Sequence, residues 1–326
     1  MKSKFNENKI QPNVLLITQG LTFFTEYLLA RNCNIVGVLE SAPRGYKKKK
    51  IFYNLVYLFT IFFSKFISKI NLRSKLKSKN ISYRFMVSNE DPGLIKWIYS
   101  IKPDIIIVYS MSHLLKKKIY SIPRFGSINF HPSWLPYYRG PNPNFWQTYN
   151  LELNPGVTIH HINEGEDTGD IISQQRYKID LGTSYSDLKK KYEELGASLI
   201  LKYLQNIDNL EIKSFKQNLI SPTKRARNLS QNDYKNIIQW NDWPVERVWH
   251  ILRGSENLVN ILFKQKITHL GRFWNVEEYE KKTNNHLTPG KIYYDKNIFF
   301  ISCKDGYIYL SRKFSLKKLF RYFLKI

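Results

Sequence analysis

The sequence predicts an α/β fold in which an open, mainly parallel sheet is followed by a smaller, mainly β domain. Two observations set the first half: the apolar runs at 14–18 and 105–108 lack polar alternation, as strands buried on both faces do, and helix-like segments separate the strand-like ones. A third observation sets the second half, where 298–303 and 307–311 flank Asp305-Gly306, a hairpin turn signal. With 326 residues, of which 43% are hydrophobic, the chain can fill one large core or two ordinary ones. The predicted division is a domain at 1–207, a polar linker at 208–230 containing Pro222 and a C-terminal domain at 231–326.

In order, 14–18 reads as a strand, 21–30 as a helix and 34–40 as a second strand, a βαβ opening. Gln19-Gly20 occupies the first strand-to-helix turn, but a single glycine is no dinucleotide fingerprint, so no NAD site is predicted. Residues 41–80 carry Arg44, Lys47–Lys50 and further cations without one acid. Within them 51–63 is apolar but shorter than the roughly twenty residues that cross a bilayer. From Phe59 to Ile70 the aromatics and isoleucines share one helical face and the lysines and serines the other, the pattern of a basic amphipathic helix. Packing on the sheet with a solvated basic face is the simpler reading, and a surface for tRNA, nucleotide or membrane the other. Residues 81–87 read as an edge or third strand, 91–100 as a helix and 103–109 as the central strand, whose carboxyl end runs into Ser110-Met111-Ser112-His113-Leu114-Leu115. Ligands of open α/β sheets bind beyond the carboxyl ends of strands, so this loop is expected at the site.

The stretch 129–174 carries the chemistry. Asn129 and His131 stand two positions apart on a short extended segment and so share a face; 156–162 supplies another strand, and Asp167 sits in the polar loop 163–169. An amide, an imidazole and a carboxylate brought together suit acyl transfer, in which an oxyanion needs a donor and an attacking group must lose a proton. His160 and His161 fall on opposite faces of one strand and lack the further ligands of a metal site, so no metal is predicted. Cys33 and Cys303 are too few for a disulfide framework and read as reduced thiols in a cytoplasmic protein. The nearest apolar run to the N-terminus, 14–17, is too short for a signal peptide.

Asn129-Phe-His131-Pro-Ser133, then Leu135-Pro136-x-x-Arg139-Gly140, Gly156-Val-Thr158-Ile-His160 and Glu164-Gly-Glu-Asp167-Thr-Gly169 resemble the folate-dependent formyltransferases. These include the methionyl-tRNA, glycinamide ribonucleotide and nucleotide-linked amino-sugar enzymes. The resemblance is carried by roughly residues 100–205. It implies a Rossmann-like catalytic domain with a small barrel-like C-terminal domain, and 10-formyltetrahydrofolate as co-substrate. It further implies that Asn129 donates to the oxyanion, that His131 collects the amine proton and that Asp167 orients and stabilises the imidazole. An ordinary imidazole pKa of about 6.5 suits His131 for that task at neutral pH. Met111, Ser112, Leu114, Leu115, Asn163 and Gly165 are the implied folate contacts; by residue chemistry Arg139 suits a phosphate of the acceptor, and Tyr138 and Trp146 suit stacking on its base or sugar. Ordering of the proline-stiffened loop is the simpler reading of Arg139, and core packing that of Trp146. His160 is at best a supporting residue.

Three functions follow. The acceptor is a nucleotide-linked amino-deoxysugar for surface glycan, including lipopolysaccharide, synthesis; or it is an aminoacylated initiator tRNA; or the fold binds or hydrolyses formyl-folate without an amine acceptor. The net charge of +25 suits any polyanionic partner as well as a solvated lysine-rich surface. Methionyl-tRNA enzymes characteristically carry a Gly-Thr-Pro-type turn after the first strand and a glycine- and arginine-rich loop after the second. Here the turn is Gln19-Gly20-Leu21-Thr22 and the insertion is rich in lysine and phenylalanine, which favours the sugar. The terminal stretch 313–326 places leucines and phenylalanines on one helical face and cations on the other, an expected weak contact with anionic membrane at the inner face. Both a monomer and a homo-oligomer agree with the sequence.

Overall fold

A computed structural model of the chain describes residues 11–31, 33–43, 72–88, 90–208, 213–263, 272–282 and 286–315. The amphipathic 59–70 segment, most of the basic insertion around it and, of the amphipathic stretch expected over 313–326, residues 316–326 lie outside the described residues.

Contacts divide the chain into two compact units, one made of the residues up to Tyr137 with Gly156–Gln175 and Tyr192–Pro222, the other of Tyr138–Pro155, Arg176–Lys191 and Thr223 onward. Two stretches from within 1–207 therefore belong to the second unit.

The first unit holds a seven-stranded sheet. Its strands are β1 (Val14–Thr18), β2 (Ile35–Ser41), β3 (Ser82–Met86), β4 (Ile105–Tyr109), β5 (Ser127–His131), β6 (Gly156–His161) and β7 (Ile171–Arg176), in the order β3-β2-β1-β4-β5-β6-β7. Every residue of β1 and β4 is buried, as the apolar runs at 14–17 and 105–108 require of central strands. β1 to β5 pair in parallel, whereas β6 runs antiparallel to β5, with Asn129 opposite His160 and His131 opposite Thr158.

Local sequence sets the helix ends. Thr22 caps α1 (Phe23–Leu29), its hydroxyl accepting from the Thr25 amide, a contact that typically contributes about 1 kcal/mol. After α2 (Leu72–Lys77), α3 (Pro92–Ile101) begins with Asp91 accepting from the Gly93 amide and Pro92 in the first turn; it ends at Lys102, which adopts a left-handed φ of 46° before Pro103 stops it. The short α4 (Lys117–Tyr120) leads into β5. One face of the sheet is filled by Leu15, Ile17, Leu39, Met86, Leu94, Ile98, Ile106 and their neighbours.

A separate aromatic cluster fixes β5. Phe130 stacks on Phe24 with ring centres 5.1 Å apart and meets Tyr109 at 4.8 Å and Tyr192 at 6.5 Å. Tyr192 lies in α6 (Tyr185–Gln205), and Gly196 on the same helix leaves room for the Phe130 ring. Next to it Glu193 is fully buried: Oε2 accepts from the Phe24 amide at 3.0 Å and Oε1 from the Tyr109 hydroxyl at 2.6 Å. Phe130 takes the packed face, so its neighbours Asn129 and His131 are presented on the other.

The second unit contains α5 (Pro143–Tyr149), α7 (Asp233–Asn236), α8 (Val245–Gly254), α9 (Leu258–Leu262) and an antiparallel sheet of β8 (Arg272–Lys281), β9 (Ile292–Asp295), β10 (Ile298–Cys303) and β11 (Gly306–Phe314), ordered β8-β11-β10-β9. Its core gathers Phe145, Val245, Val248, Ile251, Ile301, Cys303, Ile308 and Leu310. Among the described residues β8 and β9 stand at the two ends of this strand order. Lys313 and Phe314 end β11 instead of starting a helix. No helix among the described residues is long and apolar enough to cross a membrane.

Candidate active site

Asn129 and His131 lie at the carboxyl end of β5, and His160 stands across from Asn129 on β6. The loop after β6 brings Asp167 to them in a left-handed conformation, φ 55°. The Asn129 Nδ2 stands 3.1 Å from His160 Nε2 and donates to Asp167 Oδ1 at 3.4 Å, while His131 Nδ1 lies 3.5 Å from Asp167 Oδ2. His131 and His160 are buried, with 4% and 2% of their surfaces exposed, and their rings meet edge to face at 6.4 Å. The three residues singled out in the sequence thus form one cluster, with His160 as its fourth member.

The tautomer of His160 follows from its partners. Nδ1 faces the carbonyl oxygen of His161 at 2.8 Å, which can only accept, so Nδ1 carries the hydrogen and Nε2 accepts from Asn129. The orientation of the Asn129 amide is set in the same way, since its nitrogen, not its oxygen, must face an acceptor on His160 and the carboxylate. His161 points to the opposite side of β6, where burial lowers its pKa.

The loop is shaped by its own polar residues. Asn163 Oδ1 accepts from the Gly165 amide at 3.1 Å and from the Thr168 hydroxyl at 2.8 Å, so the described contacts of Asn163 and Gly165 are within the turn. A Cβ at Gly169 would collide with the carbonyl oxygen of His161, so only glycine allows the loop to close on β6.

The loop after β4 leaves the sheet beside the cluster, because Val108 pairs with Asn129. Leu115 is buried in the core, Met111 packs partly against it and Leu114 is 60% exposed. Ser112 donates its amide to Ser41 Oγ at 3.4 Å and accepts a hydrogen bond from Gln19 Nε2. His113 is exposed. An apolar surface beside hydroxyls and main-chain polar groups suits a flat heteroaromatic ring.

Tyr138, Arg139 and Trp146 belong to the second unit. There Tyr138 is buried and donates its amide to Thr223 Oγ1 at 2.7 Å, the Arg139 carbonyl accepts from the Ala226 amide at 2.8 Å, and Trp146 Nε1 donates to the Arg227 carbonyl at 2.7 Å. Among the described residues no group of His, Cys, Asp and Glu is placed to hold a metal. Burial pushes the thiols of Cys33 and Cys303 up to about 12, so neither is a thiolate at neutral pH.

Sequence reasoning gave His160 only a supporting place and missed Gln217, whose Nε2 donates to the carbonyls of Asp167 and Gly169. Strand parity placed His160 near Asn129 only once β6 was known to run antiparallel. No signal in the sequence marked Gln217.

The model of a family described as formyl transferase matches residues 71–204. A methionyl-tRNA formyltransferase of Clostridium beijerinckii is 30% identical over 238 residues, covering 73% of this chain and 75% of the relative. One from Ehrlichia canis is 40% identical over 212 residues, 64% of this chain and 65% of the relative. Among solved structures, an N-formyltransferase from Helicobacter canadensis in complex with folinic acid and dTDP-3-aminofucose superposes with a TM-score of 0.56 at 20% identity, over 93% of this chain and 100% of that one, a likeness of fold.

Proposed function

The chain belongs to the formyl transferase family, and on that premise we propose that it moves a formyl group from 10-formyltetrahydrofolate to the amine of a nucleotide-linked amino-deoxysugar destined for surface glycan. The observation that favours this acceptor over tRNA is the turn after β1, where Gln19-Gly20-Leu21 leads to Thr22, the cap of α1, in place of the Gly-Thr-Pro-type turn. Folate analogues bound to fold neighbours of known structure support the donor.

The donor supplies a formyl carbon on a nitrogen leaving group. The acceptor amine forms the new N–C bond, the old C–N bond breaks, and one proton must travel from the amine to the departing nitrogen. His131, with Nδ1 toward Asp167, takes that proton on Nε2, and the carboxylate stabilises the imidazolium until the proton is passed on. Both hydrogens of the Asn129 amide are engaged in this structure, and the longer contact, 3.4 Å to Asp167, is the one the developing oxyanion takes over. His160 keeps that amide pointed the right way. The apolar surface at Met111 and Leu114 takes the pterin ring, with Ser112 beside it; Leu115 supports the loop from beneath, and Asn163 and Gly165 hold the turn that delivers Asp167.

Transfer to initiator methionyl-tRNA is the second reading, favoured by the names of the sequence relatives and by the net charge of +25. The test is a transfer assay with 10-formyltetrahydrofolate, comparing dTDP-linked amino sugars with methionyl-tRNA and product mass as the readout. Formylation of a sugar nucleotide with none on tRNA supports the proposal; formyl-methionyl-tRNA as the product replaces the acceptor. Release of formate with both amines reduces the reading to hydrolysis.

A further inference from the structure

Beyond α6 the chain returns to the sheet as a strap. Phe215 forms an isolated antiparallel bridge with Ile171, through N–H to carbonyl bonds of 2.9 and 2.8 Å in the two directions. Continuing that register, residue 217 falls opposite residue 169, and there the pairing passes from main chain to side chain. The Gln217 amide nitrogen donates to the Asp167 carbonyl at 3.1 Å and to the Gly169 carbonyl at 2.6 Å. Four residues on, Ser221 Oγ donates to the Pro136 carbonyl at 2.7 Å, in the loop that follows His131. The strap therefore touches both loops that flank the cluster.

The Asp167 turn needs such a clamp. Asp167 occupies the left-handed region, which a non-glycine residue holds only when its surroundings fix it. A primary amide has two N–H donors about one nitrogen and can span two carbonyls, as a hydroxyl with one hydrogen cannot. Local turn bonds shape the loop from 163 to 168, and Gln217 ties the carbonyl of Asp167 itself.

We propose that Gln217 is a positioning residue for the reaction, holding the backbone of Asp167 so that its carboxylate meets His131 and Asn129. The inference rests on the catalytic reading of Asp167. It places part of the site's support in a segment outside the matched 71–204 and bearing two highly exposed apolar residues, Leu219 and Ile220, at its crest.

The experiment compares steady-state kinetics of full-length wild type, Gln217→Ala, Gln217→Glu, Ser221→Ala and Asp167→Asn. Gln217→Ala is expected to lower kcat about tenfold to a hundredfold with KM for the formyl donor within twofold and the melting temperature nearly unchanged. Gln217→Glu presents a carboxylate to two carbonyls at neutral pH and one O–H donor when protonated, so its kcat relative to wild type is expected to rise as pH falls below about 6. Kcat of Gln217→Ala within twofold of wild type overturns the inference, as does a Gln217→Glu ratio that is flat with pH. If Gln217→Ala does not fold, the Gln217→Glu ratio decides alone. Asp167→Asn separates the two readings: wild-type turnover there removes the catalytic role of Asp167, whereas an inactive Asp167→Asn beside a fully active Gln217→Ala removes only the role of Gln217.

Discussion

Asn129 Nδ2 stands 3.1 Å from His160 Nε2, and the protonated Nδ1 of that histidine is held by the His161 carbonyl. In the proposed mechanism the pair acts as one donor unit. Asn129→Ala is expected to lower kcat about a hundredfold to a thousandfold, the usual cost of one oxyanion donor, and His160→Ala about tenfold. The double variant is expected to match Asn129→Ala alone, because His160 works only by orienting the amide. Losses that multiply in steady-state assays would assign His160 a separate task.

His131 and Asp167 form a second pair in the cluster, Nδ1 to Oδ2 at 3.5 Å. Asp167→Asn keeps the shape but withdraws the charge, and the double variant with His131→Ala is expected to be no slower than His131→Ala by more than about threefold, since both serve one proton path. Single-turnover measurement of formyl transfer checks this without interference from product release.

Salt distinguishes the acceptors. A sugar nucleotide carries two phosphates, so the logarithm of its affinity is expected to vary shallowly with the logarithm of salt, whereas tRNA binding through several phosphates falls steeply. Equilibrium binding between about 50 and 200 mM salt separates the two slopes.

Acid is expected to destabilise the second unit through His250. This histidine is buried on α8, its Nδ1 accepts from the Gly182 amide at 2.8 Å, and its buried Nε2 has no hydrogen-bond partner. Burial pushes its pKa down to about 4, below the roughly 6.5 of the unfolded chain. The unfolded state therefore binds the proton first: the contribution of neutral His250 is complete above about pH 6.5, declines as pH falls toward about 4 and is constant below. Thermal melts across this range are expected to fall less for His250→Asn, whose amide oxygen can still accept from Gly182 without titrating.

Gly196 tests the aromatic support of β5. A methyl group there would enter the space of the Phe130 ring, so Gly196→Ala is expected to cost about 1–3 kcal/mol, read as a lower melting temperature, with kcat reduced because β5 carries Asn129 and His131. Replacing Phe130 with Leu in the same chain is expected to recover part of the loss.

The sheet was legible where burial leaves a plain mark. β1 and β4 are unbroken apolar runs, α3 has its Asp-Pro start and Pro103 stop, and the shared face of Asn129 and His131 follows from strand parity. β7 was not read as a strand because its sequence, Ile-Ile-Ser-Gln-Gln-Arg, is polar over most of its length at the sheet edge. β8 was missed for a related reason: its alternation of Trp274 and Val276 with Asn275 and Glu277 is short and interrupted by a register shift opposite β11. Asp167 could be assigned from its motif, yet its left-handed backbone and the amide of Gln217 depend on residues 50 positions apart meeting in space, which no local pattern encodes.

Glu193 gives the fold a direction in time. Its two oxygens hold residues 24 and 109, which leave the ribosome 169 and 84 positions earlier. Until that carboxyl group arrives, the Phe24 amide of α1 and the Tyr109 hydroxyl at the end of β4 have no acceptor from α6, and Phe130 has no Gly196 to nest against. Contacts so distant in sequence close late and slowly. Nascent chains stalled before residue 193 are therefore expected to expose β4 and β5 to protease, and those that have released α6 to protect them.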